Sequence, residues 1–197
     1  VIYLSMNDVI QIIKNDPLQR VFLRLYERSA ELSAAKICLD VCCGYGWGSS
    51  ILSRSSKLVV GVDNNCEKMS YANKFVSKSY LNFCVANATS LCFTQKFEIV
   101  TIINGYQYVT NTVGMLKSIS GCLRDNGLIF LATRPTGNFL GFSINEMNDY
   151  LVDDLEKSDL LSVFSTFVTN EVRYFSHNVE KITHVIHVIK TKKPLCL

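Results

Sequence analysis

From Lys36 to Thr133, short apolar runs alternate with longer amphipathic stretches. Ile37–Val41, Leu58–Asp63, Leu81–Ala86, Phe97–Ile103 and Leu128–Thr133 read as strands. Most are apolar at nearly every position, as in strands covered on both faces. Between them, Gly44–Ser56 reads as a glycine turn opening a helix, and Cys66–Lys78 and Thr112–Leu123 as helices. The last is closed by a turn at Asp125-Asn126-Gly127. Uninterrupted strands separated by helices predict an α/β fold with a doubly wound, mostly parallel sheet.

The two ends have other textures. Residues 6–34 read as helical, with a stop and restart at Asn15-Asp16-Pro17. Asp16 serves as N-cap, Pro17 as first helical residue, and Gln19 closes a capping-box-like pattern. From there Val21, Phe22, Leu25 and Leu32 recur at near-helical spacing, so one face is buried. Ser143-Ile144-Asn145-Glu146 is a capping box that starts a helix running to about Ser158. Leu161–Phe175 and Ile182–Lys190 read as long strands joined tightly across Ser176–Glu180. That predicts an antiparallel hairpin at the sheet edge. The apolar last strand is a surface for a second copy of the chain, or for a covering helix.

Composition narrows the function. At 197 residues and 48% hydrophobic, the chain can bury one real core. A net charge of +3 is too balanced to imply nucleic acid or membrane by charge alone. Lys190, Lys192 and Lys193 read as a solvated end rather than a patch. No apolar run approaches the roughly 18 residues of a membrane span. Val1–Ile13 carries Asn7, Asp8 and Gln11, unlike a signal peptide, and Met6 is a candidate native start. The 8 cysteines form no Cys-x-x-Cys pair and there are only 3 histidines, so neither a zinc site nor a disulfide framework is expected. Cys38 and Cys84 sit in strand-like runs as small hydrophobes, which fits a reducing, cytoplasmic location.

The informative stretch is Leu39-Asp40-Val41-Cys42-Cys43-Gly44-Tyr45-Gly46-Trp47-Gly48-Ser49. A glycine-rich turn between a first strand and a helix lets backbone approach a ligand closely. A phosphate loop would need Gly-Lys-Ser/Thr, and a dinucleotide fingerprint would need glycine where Ser49 stands. Asp40, directly before the turn, would repel a pyrophosphate and suit an ammonium or sulfonium; the alternative is that it caps the next helix. Asp63 ends the second strand, where a carboxylate reaches ribose hydroxyls.

These residues resemble the first motif of class I S-adenosylmethionine-dependent methyltransferases. Val60-Gly61-Val62-Asp63-Asn64 is similar to their second-strand motif, and Asn87-Ala88-Thr89-Ser90-Leu91 to their third. Phe97-Glu98-Ile99-Val100 resembles their entry to strand four, and Leu123-Arg124-Asp125-Asn126-Gly127-Leu128 their turn before strand five. The resemblance spans residues 36–133, in order. It implies a Rossmann-like, mostly parallel seven-stranded sheet whose last strand is antiparallel. The expected organisation is one domain over 1–197, with a helical lid (1–35), a cofactor-binding core (36–133), and an acceptor-side helix and hairpin (134–197).

The resemblance also implies S-adenosyl-L-methionine as cofactor. Asp40 and the backbone of Cys42, Cys43, Gly44 and Gly46 would hold its methionine moiety. Asp63 would bond the ribose, with Asn64 beside the adenine. Asn87 and Ala88 would contact the adenine edge, Asn87 through its side-chain oxygen. Asn104 would face the methionine end and the acceptor. Where close relatives carry Glu-x-x-Glu-His after strand four, this chain reads Asn104-Gly105-Tyr106-Gln107-Tyr108, so no general base is assigned. Tyr106 and Tyr108 share a side if that segment is extended, lining the acceptor pocket or packing under the next helix. Trp47 packs over the cofactor or in the core. His177 lies in the connection between the last two strands. His184 and His187 point to opposite faces of a strand. Tyr26 and Arg28 belong to the lid.

Two functions are expected from this. One is methyl transfer to an oxygen or nitrogen of a small molecule or glycan precursor. The alternative is a catalytically weak cofactor-binding subunit that supports a partner protein. The absence of an Asn/Asp-Pro-Pro-aromatic run after strand four and of a basic surface speaks against nucleic acid.

Overall fold

The computed structural model describes residues 17–133, 166–178 and 181–192. Helix α1 (Pro17–Leu32) begins at the expected proline, whose missing N–H is no loss in a first turn. Its inner stripe buries Leu25, Tyr26 and Ser29. The Ser29 hydroxyl donates to the Tyr26 carbonyl at 3.0 Å, so burying it leaves no orphan. Strand β1 (Ile37–Val41) follows, then the short helix α2 (Trp47–Leu52) and strand β2 (Leu58–Asp63). Helix α3 (Cys66–Phe75) is N-capped by Asn65, whose side chain accepts from the Lys68 amide. Strands β3 (Leu81–Val85) and β4 (Phe97–Ile103) come next. A single 3-10 turn (Tyr106–Tyr108) leads to helix α4 (Thr112–Cys122), capped by Asn111. Strands β5 (Leu123–Thr133), β6 (Thr166–Asn178) and β7 (Lys181–Lys192) complete the described chain.

The strands form one seven-stranded sheet in the order β3-β2-β1-β4-β5-β7-β6. All pairings from β3 to β5 are parallel; β7 runs antiparallel to both of its neighbours. Period-two alternation feeds two cores. Leu39, Val41, Val100 and Ile102 pack with Met115, Leu116 and Ile119 of α4 on one face. Cys38, Val59, Ile99 and Ile103 pack with residues of α1, α2 and α3 on the other. That two-sided burial is why these strands lack polar alternation.

Two expectations need correction. The C-terminal strand is not the edge: β7 lies between β5 and β6, with Leu128–Thr133 paired to Lys190–Val185, so β6 is the outer strand. The turn at Asp125-Asn126-Gly127 lies within β5, not before it. Pairing with β4 jumps from Phe97↔Leu123 to Ile99↔Leu128. The intervening residues loop out through Asn126 at φ 59°, a conformation asparagine tolerates better than most. The helix expected over 143–158 and residues 6–16 lie outside the described residues. No helix among the described residues is long and apolar enough to cross a membrane.

Candidate active site

Strand order reverses at β1, whose neighbours are β2 and β4. Ligands of open α/β sheets bind at the carboxyl ends of strands flanking such a point. Two loops meet there, the glycine turn after β1 and the Asn104–Tyr108 segment after β4. Both rely on left-handed backbone: Cys42 (φ 60°), Gly44 (φ 59°) and Gly46 (φ 81°) in the first, Asn104 (φ 53°) in the second. A Cβ on Gly105 would lie 2.4 Å from that of Cys42, so glycine there lets the loops touch.

The first loop is pinned by Asp63. Its Oδ2 accepts the Gly44 amide and its Oδ1 the Asn65 amide, each at 3.0 Å. The Cys43 amide bonds the Val62 carbonyl at 3.0 Å. A carboxylate has about four acceptor positions, so Asp63 keeps capacity toward the cavity it borders. A Cβ built on Gly44 meets nothing within 4 Å; the space above it is open.

Two cavities flank the loops. One, of about 430 Å³, is bordered by Asp63, Asn64, Lys68, Asn87, Ala88 and Thr89. The other, of about 300 Å³, is mostly apolar, with Phe22, Leu23 and Tyr26 of α1 facing Trp47, Ile51 and Ile103. Cys42, Gly44, Asn104 and Tyr108 border both, so the cavities meet at these residues.

Asn104 stands out chemically. Its Nδ2 and Oδ1 are both buried and, among the described residues, neither has a hydrogen-bond partner. An unmade buried hydrogen bond costs about 1–3 kcal/mol, and its left-handed backbone adds to that.

Asp40 and Gly46 do not border either cavity. Asp40 has no exposed surface. It pairs in register with Thr101 of β4, on the face covered by α1 and α2. Its Oδ2 accepts from the Ser49 hydroxyl at 2.6 Å and its Oδ1 from Thr101 at 2.8 Å. Burial raises the Asp40 carboxyl from 3.8 to about 6; the Ser49 and Thr101 hydroxyls oppose that rise and the charge of Asp63 adds to it. Gly46 is the residue before α2, and a Cβ on it would meet the Phe83 ring at 2.5 Å. Both residues are engaged by internal contacts of the fold.

The remaining expected residues, Cys42, Cys43, Gly44, Asp63, Asn64, Asn87, Ala88 and Asn104, are all at the cavity walls. Asn87 is oriented otherwise than expected. Its Oδ1 accepts both the Thr89 amide (3.0 Å) and the Thr89 hydroxyl (2.9 Å). Both lone pairs are used, so the group left for a ligand is the Nδ2 donor. Burial, followed by Asp63 and Asp40, pushes the Cys42 thiol up to about 11. Burial likewise raises Cys43 well above the usual thiol range. Both cysteines are neutral thiols at neutral pH.

The tyrosines after β4 separate because the segment is a 3-10 turn, not extended. Tyr106 is buried in the core with α4, while Tyr108 is 79% exposed at the junction of the cavities. Trp47 is half-buried, on a cavity wall and edge-on to Tyr71. Of the lid pair, Tyr26 forms cavity wall, whereas Arg28 pairs with Glu31 on the surface. His177 falls within β6 rather than in the connection, and His184 and His187 lie on β7. Sequence reasoning passed over Lys68, whose ammonium lies 5.9 Å from the Tyr45 ring centre at the larger cavity. The available signal was its place in the first turn of the helix after the second strand.

Residues 39–131 match the family model of a methyltransferase domain. A ubiquinone biosynthesis O-methyltransferase from Glaesserella parasuis is 25% identical over 126 residues, covering 60% of this chain and 52% of that protein. The chain spans about half the length of the curated relatives it matches. An S-adenosylmethionine-dependent methyltransferase structure from Mesorhizobium loti superposes at TM-score 0.64 and 14% identity, over 80% of this chain and 92% of that one. A methyltransferase solved in complex with the Haloferax volcanii Trm112 methyltransferase activator superposes at 0.63 and 12% identity, over 84% and 86%. At these identities the structural likeness establishes the fold.

Proposed function

We propose that this chain, which carries a methyltransferase domain of the class I S-adenosylmethionine-dependent type, binds S-adenosylmethionine across the two joined cavities and methylates an oxygen or nitrogen acceptor on a small molecule or glycan precursor. The observation that carries the reading is the unpartnered Asn104 amide at the junction of the cavities. A buried donor and acceptor without partners are explained when a ligand completes them.

The surrounding residues fit that cofactor. Asp63 has acceptor capacity for ribose hydroxyls at the polar cavity, Asn87 offers an amide donor, and Ala88 gives an apolar wall. The open space over Gly44 leaves room for a chain to cross from one cavity to the other. Bound there, the cofactor supplies an electrophilic methyl group on sulfonium sulfur. The protein's share is to hold and align. Asn104 meets polar atoms at the crossing, and Phe22, Tyr26, Trp47 and Ile51 exclude water on the apolar side.

The neutral residues Asn104, Gln107 and Tyr108 at the walls favour a second reading, cofactor binding in support of a partner protein. The solved methyltransferase–activator complex is a fold-level precedent. A transfer assay with labelled S-adenosylmethionine and a panel of hydroxyl and amine acceptors, wild type beside Asn104→Ala, separates the readings. Transfer by the wild type and at least tenfold less by the variant supports the enzyme. Tight cofactor binding with no transfer to any acceptor favours the subunit, and loss of neither binding nor transfer in the variant contradicts the role of Asn104.

A further inference from the structure

Charge divides the two cavities. The polar one is bordered by the carboxylate of Asp63 and the ammonium of Lys68. Among the described residues, no Asp, Glu, Lys, Arg or His borders the apolar one. Its walls are aliphatic and aromatic, with Phe22, Leu23 and Tyr26 of α1 facing Trp47, Ile51 and Ile103. The ionisable groups at these walls are neutral as well: burial raises the Tyr26 phenol well above its usual range and raises the Cys42 and Cys43 thiols. Arg24 and Glu27 of α1 are exposed and border neither cavity. The polar side chains that remain at the apolar cavity are the amides of Asn104 and Gln107 and the hydroxyl of Tyr108, all on the segment after β4.

We infer that the apolar cavity selects an uncharged acceptor, a small ring compound with its hydroxyl toward Asn104, Gln107 and Tyr108, and rejects charged metabolites and sugars. This rests on the cofactor-binding reading above and names what shares that cavity with the cofactor. A carboxylate, phosphate or ammonium entering it leaves water and meets no opposite charge, a cost that neutral dipoles offset only in part. A sugar gives up water at every hydroxyl and meets mostly carbon in return. An aromatic ring carries neither cost, and it removes apolar surface from water against Phe22, Tyr26 and Trp47. A hydroxyl both donates and accepts, and a side-chain amide offers one group of each kind. The volume, about 300 Å³, is at the small end for ligand cavities. Selection here comes as much from what the walls withhold as from what they offer.

Probes of similar size isolate the effect of charge: 2-naphthol, 2-naphthoate and 2-(aminomethyl)naphthalene, with methyl glucoside as the sugar. Their affinities at neutral pH are measured by saturation-transfer NMR titration, with and without S-adenosylhomocysteine. The proteins are wild type, Leu23→Lys and Leu23→Met, Leu23 being half-buried at the cavity wall. Wild type should bind 2-naphthol at least tenfold more tightly than either charged probe or the glucoside. Leu23→Lys should cut the preference for 2-naphthol over 2-naphthoate at least fivefold, and Leu23→Met should keep it. Overhauser contacts from 2-naphthol to Trp47, the only tryptophan, locate the probe without any variant. A charged probe or the glucoside bound as tightly as 2-naphthol overturns the inference, as does wild type that does not bind 2-naphthol. Missing Trp47 contacts overturn it too, as does an unaltered preference in a Leu23→Lys protein with native circular dichroism. Wild type that does not bind S-adenosylhomocysteine overturns the cofactor reading instead, and the probe preferences still decide what the cavity selects.

Discussion

Asp40→Asn removes one negative charge from the interior while preserving the shape of the side chain. Asp40 is wholly buried and its carboxyl is raised from 3.8 to about 6. At about 1.4 kcal/mol per pH unit, that displacement corresponds to about 3 kcal/mol. The native protein binds this proton more tightly than the unfolded chain does. The associated stability is therefore fully present below 3.8 and lost as pH climbs through about 6. Asparagine does not titrate, and Ser49 and Thr101 are rotatable hydroxyls that can donate to it or accept from it. The assay is urea unfolding of both proteins from pH 4.5 to 7.5. Taking the difference between them at each pH cancels the other titrating groups. The variant-minus-wild-type stability should rise by about 2 kcal/mol across that window, or about 4–8 °C in Tm for a chain of this size. A difference that is flat with pH, or that falls, would refute the buried-charge account of Asp40.

Other substitutions separate stability from binding. Asn104→Gly removes an unpartnered buried amide and relieves a left-handed asparagine; it should stabilise the ligand-free protein by about 1–2 kcal/mol in denaturant unfolding while weakening S-adenosylhomocysteine binding at least tenfold. Gly44→Ala should cost about 1 kcal/mol for its positive φ yet lose binding more severely, because its Cβ enters open cavity space. Gly48→Ala should do the reverse, costing about 2–3 kcal/mol through collision with the Tyr26 ring; equal stability losses in the two alanine variants would contradict the placement of these glycines.

How legible this was depended on whether the cause was local. The ends of β1, β2 and β4 were readable because those strands are apolar on both faces and stop at an aspartate, a glycine turn or a cap. Asp63 was legible as a wall residue because the last residue of a strand reaches the carboxyl edge. The full burial of Asp40 was not read from the sequence, for a related reason. It sits one residue before the strand ends, and alternation places it with Cys38 on the face under α1 and α2. That direction was available in the sequence, but its partner Thr101 is 61 residues away, and strand register is not written in either segment alone. The orientation of Asn87 was not readable because Asn-Ala-Thr closes its own turn, which engages the side-chain oxygen. The position of β7 inside the sheet could not be read either, since a hairpin's apolar pattern is the same whichever of its strands is outermost.

The central claim is cofactor binding across the two cavities, and calorimetric titration with S-adenosylmethionine and S-adenosylhomocysteine tests it most directly, with Asp63→Asn as control. The account predicts micromolar binding of both by the wild type. The variant should bind at least tenfold more weakly, because it loses the charge that strengthens each hydrogen bond Asp63 accepts. Heat flow indistinguishable from dilution with the folded wild-type protein, or unaltered affinity in the variant, would contradict it.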